Sequence, residues 1–207
     1  MSRVKPLRPE EVPESLRERQ RQTVERMGFL PSSSLILARK PKISAALGAL
    51  AMALNGPDMK LPRDLRALIA NMASRSAGCM YCVAHSASGL NRAGVPDAKI
   101  AAVWQYESSP LFNAAERAAM RVAQAAASVP NAVTDEDFVE LRKHFAEEEI
   151  VEIVAIIAYF GWLNRWNDTL ATELEDMPLA VAERVLAPTG WKAGKHAPGR
   201  KPRQAAE

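Results

Sequence analysis

The chain has 207 residues, 48% apolar and 25% charged, with ten Gly and fourteen Pro, enough to bury one core without staples and unlike a fibrous or disordered composition. Its formal charge of +3 is unevenly held: from Gly190 onward Lys192, Lys195, Arg200, Lys201 and Arg203 face only Glu207, which puts +4 in the tail and leaves −1 for the rest. A pI near 9.0 therefore does not mark the body as a polyanion binder, and neither nucleic acid nor membrane is an expected partner.

The opening MSRVKPLRPEEVPESL has no apolar run after its basic residues, so no signal peptide is expected. Helical spacing covers Glu14 to Met27, with Gly28 and Pro31 as stop and turn. A second segment, Ser32 to Asn55, carries apolar residues at helical intervals, and Pro41 is expected to break or kink it. After the turn signal Asn55-Gly56-Pro57-Asp58, the segment Pro62 to Ser76 places Leu65, Leu68, Ile69, Met72 and Ala73 on one helical face.

A further helix is predicted from about Cys79 to Arg92, stopped at Gly94. Shorter ones follow: Pro96 to Tyr106, Asn113 to Ala127, and a segment capped by Thr134 with Asp137 that runs to about Phe145. The last is a long apolar helix, Glu147 to Thr172; its core from Ile150 to Leu163 is too short to span a bilayer, and Glu152 interrupts it. Nothing alternates like a strand. The expected fold is all-α: a helical arm over 1–30, one helical domain over 31–190, and a basic tail over 191–207 that is largely flexible.

Two cysteines cannot form the disulfide framework of a secreted chain, so a reducing, bacterial cytoplasm is expected. There the C-x-x-C of Cys79-Met80-Tyr81-Cys82 points to redox chemistry or metal. On a helix Cys82 lies one turn beyond Cys79, close enough for a disulfide. Gly78 puts Cys79 near the helix N-terminus, where free N–H groups and the dipole favour a thiolate. His85, a further turn along, is within reach to take a thiol proton. A zinc site would need more ligands than His144 and His196 can add, and a c-type haem would need His where Val83 stands; neither metal nor cofactor is expected. The plainer alternative is two apolar cysteines in a helix interface, with His85 as a bonded core residue.

At SAGCMYCVAHSASGLNRAGV, with the preceding LPRDLRALIANMAS and the later FGWLNRWNDTLAT and GWKAGKH, the chain resembles the carboxymuconolactone decarboxylase superfamily, in its alkylhydroperoxidase AhpD-like, peroxidase-related branch. The resemblance extends from about Gly28 to His196. It implies an AhpD-like helical fold, a homo-oligomer (dimer, trimer or hexamer), and a dithiol that reduces organic hydroperoxides. By that resemblance Cys82 attacks and Cys79 resolves. The best-known members carry a relay Glu twelve residues before the first Cys and a relay His four after the second. Here those positions hold Ala67 and Ser86, with Asp64 as the nearest acid and His85 one residue early, a rotation of about 100° on a helix.

Glu152, set among Ile150, Val151, Ile153 and Val154, offers a substitute carboxylate, since an acid in apolar surroundings is paired, protonated or functional. Aligning Asn164-Arg165-Trp166-Asn167 with Cys79-Met80-Tyr81-Cys82 sets it opposite Ala67; the bland alternative is an ion pair with Arg165. The candidate catalytic set is thus Cys79, Cys82, His85, Glu152 and Asp64. The leading expectation is a peroxidase for organic hydroperoxides, recharged by a lipoyl- or thioredoxin-like thiol donor. The alternatives are a carboxymuconolactone decarboxylase-type lyase and a non-catalytic redox-sensing oligomer.

Overall fold

The structure, a computed structural model, describes residues 1–199. Every regular element among them is helical: α1 Glu14–Met27, α2 Ser32–Leu37, α3 Pro41–Ala53, α4 Arg63–Ser76, α5 Met80–Arg92, α6 Asp97–Ala101, α7 Ala114–Ala126, α8 Asp135–Leu141, α9 Glu147–Leu170 and α10 Asp176–Val185. Short 3₁₀ turns at Pro9–Glu11, Ala102–Gln105, Ala187–Thr189 and Gly194–His196 join them. No helix among the described residues is long and apolar enough to cross a membrane.

Helix α4 is the hub. The face expected from its spacing (Leu65, Leu68, Ile69, Met72 and Ala73) is wholly buried, and α5, α7 and α9 all pack on it. Helix α5 leaves α4 through Gly78, whose φ of +73° suits glycine although nothing lies within 4 Å of where a Cβ would stand. On its other sides α5 meets α9 and α10. The segment over 1–30 is no loose arm. Val12 and Leu16 form a small apolar cluster with Ala38, and Arg19 donates from Nη1 to the Ser44 carbonyl at 2.6 Å, so α1 closes against α3.

Several boundaries move for local reasons. Pro41 starts a helix at its first position and does not kink a longer one, so α2 and α3 are separate. Thr134 and Asp137 form the expected reciprocal cap, but α8 stops at Leu141 and a turn carries Phe145 into the core. The segment from Pro96 holds only one α-helical turn and a half before it tightens to 3₁₀.

The C-terminal expectation needs correction. Helix α10 was not anticipated, and the expected flexible tail is ordered through Gly199: Trp191 and His196 are buried, and Leu174 N–H donates to the His196 carbonyl at 2.9 Å. Burying an indole supplies the apolar area that the Lys- and Gly-rich composition hid. The part of that tail from Arg200 to Glu207 lies outside the described residues. Trp191→Ala should therefore lower unfolding stability by about 3 kcal/mol in chemical denaturation, whereas a loose tail would leave it unchanged.

Candidate functional site

Cys79 is the N-cap of α5: its Sγ accepts from Cys82 N–H at 3.4 Å, and its own N–H donates to the Ser74 carbonyl at 3.1 Å. Both thiols are free and buried. They differ in what they face. Cys82 lines the main cavity of the molecule; Cys79 does not. Behind Cys82, Asn167 of α9 points its Nδ2 at the sulfur from 3.6 Å while also donating to the Leu163 carbonyl. Burial pushes the Cys82 thiol well above its ordinary pKa, Cys79 adds to that, and the Asn167 donor only partly opposes it. Cys79 takes the cap position, as its place after Gly78 implies, while the surroundings of Cys82 favour its thiol.

His85 is held by a carboxylate that the sequence reading missed. Its Nε2 lies 2.6 Å from Oε2 of Glu175, the N-cap residue of α10. Oε1 of the same carboxylate accepts from Tyr81 Oη at 2.9 Å and from the Ser32 backbone N–H. Tyr81 and His85 stack one turn apart, with ring centroids 4.2 Å apart, and Phe29 meets the imidazole edge-on at 5.5 Å. Burial alone would raise Glu175, but the hydrogen bond and charge of His85, with the Ser32 N–H, outweigh it and hold the carboxyl below its ordinary range. Because an ionised carboxylate only accepts, Nε2 carries a proton and Nδ1 is the basic atom of a neutral His85. The same carboxylate raises Tyr81, after burial, so the phenol stays a donor.

Glu152 and Asp64 are not brought to this site. Glu152 accepts from the backbone N–H groups of Lys60 and Leu61 at 2.8 and 2.9 Å, fixing the loop before α4. It sits fifteen residues before Asn167, about 22 Å along the helix axis, so it cannot reach the cysteines while Asn167 does. Nor does it pair with Arg165, which donates to the Gly161 carbonyl. Asp64 turns its Oδ1 to Leu65 N–H at the start of α4; neither acid lines the cavity. Ala67 lines it without a polar atom, and the Ser86 hydroxyl spends its proton on the Cys82 carbonyl at 2.7 Å.

The cavity, about 540 Å³, is bounded by α1, α3, α4, α5 and α9. Tyr159, Phe160, Trp162 and Trp166 give it an aromatic wall, the two indoles stacked at 5.2 Å. Arg19, Arg26, Arg63, Arg66 and Arg92 also line it, and no Asp or Glu does. Among the described residues, none of the five has a carboxylate within ion-pairing distance. Burial and then Arg63 lower Arg66, and burial followed by Arg26 and Arg63 lowers Arg92. This is a largely apolar cavity with a cationic rim, whose charge Glu152 partly offsets at Arg66.

Outside the cavity lining, Cys79 Sγ, an Asp168 oxygen and a His196 ring nitrogen lie within 4.8 Å of one another. It is the one grouping of metal-ligating atoms among the described residues. The Lys195 ammonium, 2.6 Å from Asp168 Oδ2, works against a cation there.

Glu175→Gln should weaken three bonds at once and cost about 2 kcal/mol near neutral pH. Since the folded carboxyl titrates below its ordinary 4.5, its contribution is fully present above that value and is lost as pH falls through the lowered one. The difference in melting temperature between the two proteins should therefore shrink below about pH 4, and a constant difference would contradict the assignment.

Residues 41–125 match the carboxymuconolactone decarboxylase family. The crystal structure of the debrominase Bmp8, also solved as a cysteine-to-alanine variant with 2,3,4-tribromopyrrole, is 34% identical with a TM-score of 0.81, covering 88% of this chain and 96% of that one. An AhpD-core, peroxidase-related protein from Ralstonia eutropha JMP134 is 27% identical with a TM-score of 0.77, covering 86% and 94%. The Escherichia coli K12 protein YnjA is 31% identical over 107 residues, which are 51% of this chain and 58% of YnjA. The pairing of a C-x-x-C helix cap with this helical frame thus has a family: the chain belongs to the carboxymuconolactone decarboxylase family, in its AhpD-like branch.

Proposed function

We propose that the chain is a thiol-dependent peroxidase that reduces small organic hydroperoxides through Cys79 and Cys82, in antioxidant defence. The carrying observation is the asymmetry of the pair: Cys82 opens on a substrate-sized cavity, and Cys79 stands behind it within one helical turn. His85 Nδ1 takes the Cys82 proton as substrate arrives, with Glu175 steadying the imidazolium. The Cys82 thiolate attacks the terminal peroxide oxygen; the S–O bond forms, the O–O bond breaks, and the alkoxide leaves as an alcohol with that proton. Cys79 then attacks the sulfenic sulfur, the S–S bond forms, and hydroxide departs as water. A lipoyl- or thioredoxin-like dithiol returns two electrons. The cationic rim favours hydroperoxides that carry a carboxylate on an apolar body.

A second reading has its own support. The debrominase match spans nearly the whole chain, and the aromatic wall suits a flat halogenated ring. The same dithiol would then deliver its two electrons to a carbon–halogen bond. Assembly into a homo-oligomer belongs to the proposal as well, with the exposed Val151 and Val154 on α9 as apolar surface to cover.

With a dithiol reductant, Cys82→Ser should abolish hydroperoxide consumption, and Cys79→Ser should leave a Cys82 sulfenic acid that dimedone traps. Full activity in Cys82→Ser would sink the thiol mechanism in favour of lyase chemistry. Bromide release from a bromopyrrole without hydroperoxide turnover would favour the second reading. Cumene hydroperoxide and its para-carboxylate differ by one charge. The acid should show a kcat/KM higher by about tenfold, an advantage that salt and Arg66→Gln both erode.

A further inference from the structure

We propose that His196 is the base of Cys79, with Asp168 as its counter-charge, so that the two cysteines of the pair have separate proton acceptors. The assignment rests on the dithiol cycle above and adds a site to it.

The imidazole of His196 is 1% exposed. Its Nδ1 lies 2.7 Å from the Thr172 carbonyl, and a carbonyl can only accept, so that nitrogen holds the proton. Neutral His196 is therefore pinned in the tautomer whose lone pair is on Nε2. That atom is buried with no hydrogen-bond partner and lies 3.5 Å from Asp168 Oδ1. An orphaned buried acceptor asks for an explanation, and Cys79, whose Sγ lies within 4.8 Å of a nitrogen of this ring, supplies one. Rotation of the thiol, or one bridging water, closes such a gap. Lys195 holds the other oxygen of Asp168, and Tyr81 flanks the ring at 5.9 Å. Burial lowers His196 from its ordinary pKa while Asp168 opposes the drop, which keeps the ring neutral and ready at pH 7.

The need is chemical. Cys79 is fully buried, and only its thiolate can displace the leaving group on Cys82. In the resolving step the Cys79 S–H proton passes to His196 Nε2. The thiolate, steadied by the Cys82 N–H, forms the S–S bond as the Cys82 S–O bond breaks. The departing hydroxide takes the same proton and leaves as water.

The test avoids peroxide. With 2,2′-dithiodipyridine, attack by Cys82 releases one thiopyridone and forms a mixed disulfide; attack by Cys79 closes the ring and releases a second. In His196→Gln the second phase should slow by roughly a hundredfold while the first stays comparable to wild type. In Asp168→Asn the second phase should slow by a smaller factor and the first should not slow, because that carboxylate also raises Cys82. An unchanged second phase in either variant, or equal slowing of both phases, overturns the assignment. If His196→Gln fails to fold by its melting curve, Asp168→Asn decides alone. A wild-type protein that closes the ring as expected yet ignores hydroperoxides would remove the peroxidase reading and leave His196 in place.

Discussion

Glu175 is the constraint on which the site depends. One carboxylate takes the Ser32 N–H from α2, the Tyr81 hydroxyl and the His85 ring from α5, and it begins α10 as well. Two segments distant in sequence, α2 and α10, are thereby held to the helix that carries the cysteines. Burying a carboxylate costs several kcal/mol unless its acceptor sites are filled, and here they are. The same bonds set the His85 tautomer and keep Tyr81 protonated, so fold and chemistry share one fixture.

A buried dithiol creates a tension that the rest of the site answers. Apolar packing protects the thiols and disfavours the thiolate that would react. The chain does not relieve this with a permanent cation beside Cys82. It places Cys79 on the helix cap, gives Cys82 a weak Asn167 donor, and supplies His85 one turn away. On the proposed mechanism, reactivity is conditional on what enters the cavity, and a thiol at rest is less open to stray oxidation.

The helices were legible because their periodicity is strong and α4, α5 and α9 bury the faces their spacing announces. The internal alignment set Glu152 opposite Ala67, but Glu152 does not reach the cysteines; Asn167, at the other end of the same helix, does. An alignment of two helices gives matching positions, not proximity: along α9 only the last turns reach the cysteines, and Glu152 lies at the other end. Glu175 was invisible for another reason. It precedes a short helix with Pro178 near its start, and its link to His85 spans 90 residues. His196 hid in a stretch whose Gly and Lys content reads as loose, although Trp191 in the same stretch was the signal that something there is buried.

The cationic rim has no counterpart in the fold's own economy. Some arginines away from the cavity are answered by acids, as Arg121 is by Glu107 and Arg142 by Glu147, while others, such as Arg117 and Arg39, meet backbone carbonyls. Three of those lining the cavity are bonded to neutral oxygens: Arg19 to the Ser44 carbonyl, Arg66 to the Leu54 carbonyl, Arg92 to the Ser88 hydroxyl. Gly48 even leaves the space that Arg19 occupies, since a Cβ there would stand 2.3 Å from its Nη1. Like charges gathered at one opening raise the energy of the empty protein, and an anion entering the opening relieves it. Under the proposed function, a carboxylate on the substrate supplies that relief at the mouth of the cavity.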